Sequence, residues 1–320
     1  MRTSIVSLLT LLSLGFAPSA QALRQVRVYE VSVSSQAEPA VQAQAGLRQV
    51  LVRATGARDA ANDPALANVL AQAQQYVLLT RPATSGTGTT VVFDAAALER
   101  DVTAAGRSIW PSERPLLLIV LTGGPAAGVF ETRRQVEGAL DAVGNRRGQP
   151  VRVARPEALS LPASGDIAPD AALAAAQRLG ADAVLIGYGD AVTSGGAWRW
   201  NLAAPGISES WNGSLEDAVN GATDLFVRNA QAFASLPDAS VLVEVEGIPT
   251  LKEYARVAEL LGSAGGVHSV LLAEAAGTRA MFTVVARGGA DAVQGALSAS
   301  GSFERIDPGG GGTLAFRYHP

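Results

Sequence analysis

Few residues in this 320-residue sequence have side chains that commonly carry out catalysis. There is no cysteine, and the two histidines are His268, at a turn into a predicted strand, and His319, next to the C-terminus. This composition excludes thiol nucleophiles, disulfides, lipid attachment to an N-terminal cysteine and histidine-rich metal sites. The sequence has no G-x-S-x-G nucleophile motif, P-loop, H-E-x-x-H motif or EF-hand loop. It therefore predicts a protein that is not an enzyme, with no catalytic residues, no metal and no cofactor.

A pair of carboxylates could form a hydrolase site without any of these motifs, because a glycosidase needs only two acidic side chains held at a fixed separation. Glu244 and Glu246 alternate along one predicted strand, and we expect them on its solvated face. Asp166 and Asp170 flank a predicted helix start, and we expect them to cap it. The chain has 29 acidic residues, so pairs of this kind arise by chance and predict no hydrolase site.

The few aromatic residues concentrate in one part of the sequence, where Trp198, Trp200 and Trp211 follow Tyr188. On a strand, Trp198 and Trp200 would share one face. Two interpretations remain open: the rings fill a core, with Arg199 pointing outward, or they form an exposed face that binds a glycan, a small ligand or a partner helix. The core is favoured, because nearby glycine and alanine residues would otherwise leave gaps. These four aromatic residues are the candidate binding site.

The basic charge of the chain comes almost entirely from arginine, since Lys252 is the only lysine. Arg133-Arg134 and Arg146-Arg147 predict either a solvated helix face, which is favoured, or an edge that faces anions. The net charge is -4 and the isoelectric point is about 5.3. Nucleic-acid binding requires a surplus of basic charge, so we expect no nucleic-acid partner.

The first 22 residues have the features of a secretory signal peptide. Arg2 precedes an apolar run, Ile5–Phe16, and Ala20-Gln21-Ala22 places small residues at the positions that signal peptidase recognises. We therefore predict cleavage after Ala22 and a periplasmic location in a Gram-negative cell. No later stretch approaches the length of about 20 apolar residues that spans a bilayer, so no stable membrane span is expected after cleavage.

Hydrophobic periodicity divides the rest of the chain into an N-terminal α+β domain (23–112), a central α/β domain (113–236) and a C-terminal domain (237–320). In the first domain we expect a helix that starts at Asp63-Pro64 and continues to about Leu79. In the second, the alternation of strands and helices predicts a small doubly wound sheet. There, Gly187-Tyr188-Gly189 lacks the third glycine of a dinucleotide fingerprint, and we expect it to form a bend at a strand end.

The C-terminal domain has the element order of a ferredoxin-like βαββαβ sandwich. Its strands alternate apolar and polar residues, and Thr250 with Glu253 has the spacing of a capping box at the first helix. Two segments, Phe303–Ile306 and Leu314–Tyr318, are predicted to supply the last edge of the sheet. The predicted fold class is therefore mixed, α/β and α+β.

A set of short motifs in the first two thirds of the chain after the leader resembles a known family. The motifs are Leu51-Val52-Arg53 with Thr55-Gly56, Asn62-Asp63-Pro64, Gln75-Tyr76-Val77, Phe93-Asp94, and Trp110 followed by Arg114-Pro115. Together they resemble domain-of-unknown-function family 2066 of proteobacterial envelope proteins. The resemblance implies an envelope location and no particular activity.

These observations predict a non-enzymatic interaction or adaptor module of the cell envelope that works with an envelope protein partner. The alternative is a glycan- or small-ligand-binding protein, or a hydrolase, that uses the region around Trp198 and Trp200. The accessibility of the two rings separates these functions. A ligand site needs exposed rings in a cleft, whereas an interaction module needs exposed apolar surface elsewhere.

Overall fold

The computed structural model describes residues 24–84, 88–122, 130–162, 166–189, 198–307 and 312–319. The predicted signal peptide, with Ala20 and Ala22, lies outside these residues. The described chain divides into an N-terminal unit, residues 24–240 with 285–289, and a C-terminal unit, residues 241–284 with 290–319. Both units combine helices with sheets, so the predicted mixed fold class is confirmed. The domain boundaries at 112/113 and 236/237 stay predictions.

The N-terminal unit begins with a small α+β arrangement. Its elements are β1 (Arg24–Gln25), β2 (Glu30–Val33), α1 (Pro39–Thr55), α2 (Ala67–Ala71), β3 (Val77–Pro82), β4 (Thr89–Phe93), α3 (Ala95–Ala104) and β5 (Glu113–Arg114). Strand β4 lies between β2 and β3 and is antiparallel to both. Leu47 and Leu51 of α1 pack with Val91 and Phe93 of β4 in the core.

Two helix ends in this region are fixed by local capping residues. Gly56 adopts a φ of 71° and donates its N–H to the carbonyl of Val52, which ends α1 in the left-handed cap that favours glycine. At the start of α3, the Asp94 carboxylate accepts the N–H of Ala97 at 3.0 Å.

The helix predicted from Asp63 to Leu79 is wrong in its second half. Asp63 does cap a turn, since its carboxylate accepts the N–H of Ala65, but only a 3-10 turn and the short α2 follow. The segment Val77–Pro82 is the strand β3, which pairs with β4. Its leucine, glutamine and alanine surroundings favour a helix locally, but antiparallel pairing with the next strand, β4, overrides that preference.

The centre of the N-terminal unit is a five-stranded sheet. Its strands are β6 (Leu117–Thr122), β7 (Val151–Ala154), β8 (Ala183–Tyr188), β9 (Trp198–Ala204) and β10 (Ile207–Gly213), in the order β10-β9-β8-β6-β7. Strand β6 is parallel to β7 and β8, whereas the hairpin β9–β10 extends the sheet in antiparallel fashion.

Helices cover both faces of this sheet, as a doubly wound arrangement requires. On one face pack α4 (Phe130–Arg147) and α6 (Leu215–Ala234), and on the other packs α5 (Pro169–Arg178). The prediction that Asp166 caps α5 is wrong. The residue before the helix is Ala168, without a side-chain cap; Asp166 lies two residues further from the helix and forms an ion pair with Arg199, and Asp170 lies in the first turn and does not cap it.

The C-terminal sheet also contains five strands. The elements are β11 (Asp238–Glu246), α7 (Leu251–Ser263), β12 (Val267–Ala276), β13 (Arg279–Arg287), α8 (Gly289–Ala299), β14 (Phe303–Ile306) and β15 (Thr313–Tyr318). The strand order is β12-β13-β11-β15-β14. The outward carboxylates predicted on β11 pair with arginines, Glu244 with Arg279 and Glu246 with Arg317.

One feature of this sheet departs from the predicted ferredoxin-like sandwich. The two segments predicted to supply the last edge of the sheet do so, but β15 is inserted between β11 and β14, parallel to β11 and antiparallel to β14. Phe316 of β15 is consequently fully buried, and Phe303 of β14 packs against its ring at 6.2 Å. Burial of these aromatic side chains stabilises the inserted position.

Candidate functional site

The rings of Trp198 and Trp200 lie in the core of the N-terminal unit, which is the first of the two alternatives above. They are 4% and 0% exposed and stack on each other with centroids 5.4 Å apart. They pack with residues of α4 and α6, and the Trp200 indole N–H donates to the carbonyl of Ser214 at 3.1 Å. Rings buried in this way present no face on which a sugar ring could stack.

Two glycines of the preceding strand make room for these rings. A Cβ atom on Gly187 would lie 2.3 Å from the Trp200 ring, and one on Gly189 would lie 2.7 Å from the Trp198 ring. Gly187 lies within β8, directly opposite Trp200 of β9. The Gly187-Tyr188-Gly189 motif therefore accommodates the tryptophan pair, and the prediction that it forms a strand-end bend is wrong at Gly187.

Of the other two aromatic candidates, Trp211 lies opposite Trp200 and packs against the core cluster of the tryptophan pair, whereas Tyr188 does not. Trp211 is half-buried, and its indole N–H donates to the carbonyl of Asp217 at 3.2 Å. Tyr188 packs with the core cluster on the opposite face of the sheet. There its hydroxyl accepts the N–H of Ile167 at 2.9 Å, and the Arg199 guanidinium lies 4.5 Å from its ring centroid. Arg199 points outward, as predicted.

A buried arginine, Arg114, connects the ends of α1 and α4 in the N-terminal unit. Its guanidinium lies 3.7 Å from the Trp110 ring centroid and donates to the carbonyls of Arg53 at 2.6 Å and Gly148 at 2.7 Å. These carbonyls lie at the C-terminal ends of α1 and α4, where the helix dipoles favour a cation. Burial lowers the pKa of Arg114 to about 9, so the side chain stays protonated at neutral pH.

A second buried arginine, Arg147, is held at the end of α4. Its guanidinium donates to the Asn220 side chain at 2.8 Å, the Asp224 carboxylate at 2.7 Å and the Gly56 carbonyl at 2.6 Å. Burial lowers the pKa of Arg147, and the bond to Asp224 opposes that shift. Within the described part of the chain, its Nε atom is buried without a hydrogen-bond partner.

Arg147 forms one wall of a surface cleft of about 490 Å³, which we call the arginine cleft. Three helices and one turn contribute to it. The lining residues are Arg48, Gln49 and Val52 of α1, Arg58 and Ala61 of the following turn, Arg146 and Arg147 of α4, and Glu216 and Asn220 of α6.

The charges of the arginine cleft do not cancel. Three of its four arginines are paired with two carboxylates: Arg58 and Arg147 share Asp224, and Arg146 pairs with Glu216 at 2.8 Å. Arg48 donates instead to a main-chain oxygen, the carbonyl of Ala61, at 3.0 Å. The cleft therefore has a surplus of positive charge in a protein whose net charge is negative.

The sequence predicted only part of this cleft. Arg146 is exposed, which fits the favoured solvated face, but the neighbouring Arg147 is buried. The Arg133 side chain lies outside the described residues. Arg48 and Arg58 were missed because they lie far from Arg146 in the sequence and only the packing of α1 against α4 brings them together.

The C-terminal unit contains a different candidate surface, the free edge of β12, which we call the β12 edge. Among the described residues, β12 pairs only with β13, because it lies at one edge of the sheet. Its central residues Leu271 and Leu272 are 62% and 46% exposed. The ten residues of β12 include a single acidic side chain, Glu274, and no proline.

Comparisons with known proteins give one match, which covers the first part of the chain. A family model described as a domain of unknown function (DUF8605) matches residues 17–111. No curated protein matches the chain. A domain of unknown function is thus confirmed here, whereas the specific resemblance to family 2066 is not. The matched segment contributes Arg48 and Arg58 to the arginine cleft, and the remaining arginines lie beyond it.

Proposed function

We propose that this chain is exported to the periplasm and acts there as a non-enzymatic interaction module of the cell envelope. The observation that carries the proposal is the β12 edge. A strand with one unpaired edge offers a row of main-chain N–H and C=O groups, and an extended segment of another protein can add to it as a further strand. The proposed partner is an envelope protein that presents such a segment.

The side chains of the β12 edge favour a protein partner. Proteins usually protect exposed edges with charged residues, proline or bulges, because a bare edge pairs with other chains. The N-terminal unit follows this practice at β3, which ends in Arg81-Pro82, with Arg81 paired to Glu30. The segment Val270–Ala273 of β12 has no such residue and exposes two adjacent leucines.

Further support for export comes from the sequence. The signal-peptide features of residues 1–22 support export. No helix of the described part is long and apolar enough to cross a membrane, and no group of three or more acidic, histidine or cysteine side chains there could hold a metal ion.

The proposal is tested by photo-crosslinking in intact cells. The photoreactive residue p-benzoylphenylalanine is placed at Leu271 or Leu272 and, as a matched control, at the similarly exposed Leu78 or Leu79 of β3. We expect one reproducible adduct with an envelope protein from the β12 positions and not from the β3 positions. The double variant L271K/L272K should abolish binding of that partner, whereas L78K/L79K should leave it unchanged.

Three outcomes would contradict the proposal. Adducts from β3 positions identical to those from β12 would show that the edge is not selective. An adduct with a second copy of the chain would show that the β12 edge mediates self-association and does not bind another envelope protein. Retention of the full-length chain in the cytoplasmic fraction would exclude export.

A further inference from the structure

We infer that the arginine cleft is a binding site for a small anionic molecule that carries a phosphate or carboxylate group. The inference is independent of the β12 edge, which lies in the other unit. It rests on the size of the cleft, its charge, the fixed position of Arg147 and the residues between the arginines.

The size and the charge of the cleft select a small anion. Its volume, about 490 Å³, falls within the roughly 300–1,000 Å³ of typical small-molecule sites. Four guanidinium groups meet there with only two carboxylates as partners. The planar guanidinium fork matches the oxygens of carboxylate and phosphate, with which it forms bidentate charge-assisted hydrogen bonds.

Two arginines of the cleft differ in mobility: Arg147 is held in place by several hydrogen bonds, whereas Arg48 is exposed and can reorient. Arg147 is fixed by Asn220, Asp224 and the Gly56 carbonyl, so its position requires no ordering when a ligand arrives. Arg48 is exposed and bonded only to a carbonyl in the described contacts, so it can turn toward a ligand.

The wall between the arginines is apolar. Val52 and Ala61 line the cleft together with the aliphatic parts of the arginine side chains. We therefore expect the anionic group to be attached to an apolar body, as in an aromatic or acyl phosphate, or in a lipid with an anionic headgroup. A free small molecule and a lipid headgroup share this chemistry, and the experiment separates them.

The test measures binding of defined probes to the chain from residue 23 by isothermal titration calorimetry. Phenyl phosphate and benzoate are the anionic probes, and benzyl alcohol is the uncharged control. The variant Arg48→Gln removes one cleft charge. Arg152→Gln is the matched control, because Arg152 is also exposed and also donates to a carbonyl, that of Leu179 at 2.6 Å, outside the cleft.

We expect saturable binding of at least one anionic probe, no binding of benzyl alcohol, and affinity about tenfold lower in Arg48→Gln, as expected for one charge-assisted hydrogen bond. Arg152→Gln should bind as the unmodified chain does. Phosphatidylglycerol vesicles, tested by co-sedimentation with and without phenyl phosphate, identify the source. Competition supports a lipid headgroup, and anionic-probe binding without vesicle binding supports a free small molecule.

The inference is overturned if neither anionic probe nor the vesicles bind saturably. It is also overturned if Arg48→Gln and Arg152→Gln weaken binding equally, because the effect then reflects total charge. A thermal unfolding curve of Arg48→Gln that matches the unmodified chain excludes misfolding as the cause of lost affinity. Loss of partner crosslinks at β12 with intact anion binding would refute the proposed function alone.

Discussion

Two arginines show how single residues join the parts of the N-terminal unit. Arg114 and Arg147 are both buried, yet Arg114 donates hydrogen bonds to main-chain carbonyls at helix ends, whereas Arg147 donates to Asp224, Asn220 and a carbonyl. A buried cation without such acceptors would carry a large desolvation cost. The sequence motif Trp110 followed by Arg114-Pro115 thus has a structural explanation, because Trp110 covers the guanidinium that joins α1 to α4.

The glycine that faces Trp200 provides a prediction at the scale of one residue. Gly187→Ala should lower the free energy of unfolding by about 1–3 kcal/mol, because the added methyl group would collide with the buried indole ring. Gly138→Ala, in the middle of α4, meets nothing within 4 Å and should raise it by about 0.5–1 kcal/mol through helix propensity. Urea unfolding followed by circular dichroism measures both changes.

The opposite signs make the comparison decisive, since the two substitutions are chemically identical. If Gly187→Ala leaves the free energy of unfolding unchanged, the strand can shift away from Trp200, and close packing of the ring against Gly187 is not required. If both variants are destabilised equally, the effect is general to glycine replacement in this unit.

At the scale of an element, the start of α6 illustrates a helix whose cap depends on charge. Ser214 and Asp217 form a reciprocal capping box: the Asp217 carboxylate accepts the Ser214 N–H at 2.9 Å, and the Ser214 hydroxyl oxygen accepts the Asp217 N–H at 3.2 Å. The backbone N–H and the hydroxyl of Ser214 lower the pKa of the Asp217 carboxyl. The cap is therefore strongest when Asp217 is ionised.

This capping box predicts a pH-dependent stability difference. Asp217→Asn should lower the free energy of unfolding by about 1 kcal/mol at pH 7. The folded-state pKa of Asp217 lies below its unfolded value of about 4, so its charge stabilises the fold above that pH and the contribution is lost as pH falls through the folded-state pKa. The difference between the two proteins should therefore shrink below about pH 4.

Urea unfolding at pH 7, 5 and 3 measures that difference. Glu209→Gln, which removes an exposed carboxylate on β10, is the control and should change stability by less than about 0.5 kcal/mol. A gap between Asp217→Asn and the unmodified chain that stays constant from pH 7 to pH 3 would show that the carboxylate charge does not contribute to the cap.

The elements that could be predicted from the sequence are those with local signals. Gly56 and Asp94 mark helix ends, and the apolar alternation of Val241, Val243 and Val245 marks β11. The helix predicted to reach Leu79 is wrong over β3, because pairing with the next strand, β4, outweighs the local preference for a helix. Phe303–Ile306 and Leu314–Tyr318 do supply the last edge of the C-terminal sheet, but the parallel pairing of β15 with β11 involves a strand far earlier in the chain, and no local propensity records it.

The candidate sites show the same limit. The tryptophan pair was predicted as core from its glycine and alanine neighbours, and the structure places it there. The sequence predicts a solvated Arg147 beside Arg146, because arginine is seldom fully buried. The groups that accept its hydrogen bonds, Gly56 and Asp224, are distant in the sequence and give no local signal. The arginine cleft therefore became visible only in three dimensions.

At the scale of the whole molecule, the chain combines two units with different surfaces. The N-terminal unit holds the arginine cleft, which is built partly from the segment matched by the DUF8605 model and partly from α4 and α6. A fragment ending at residue 111 would lack Arg146 and Arg147 and also the helix end that Arg114 joins to α1. The cleft is thus a property of the entire N-terminal unit, while the β12 edge belongs to the C-terminal unit.

Each unit has its own buried apolar residues, and this predicts two thermal transitions. Val91 of β4 and Val245 of β11 are both fully buried strand valines in different units. Replacing either by alanine should cost about 2 kcal/mol. Val245→Ala should lower one melting temperature by about 8–16 °C, because its unit is small, and Val91→Ala should lower the other by about 4–8 °C. Differential scanning calorimetry measures both, and a single transition that both variants shift together would show that the units unfold as one cooperative body.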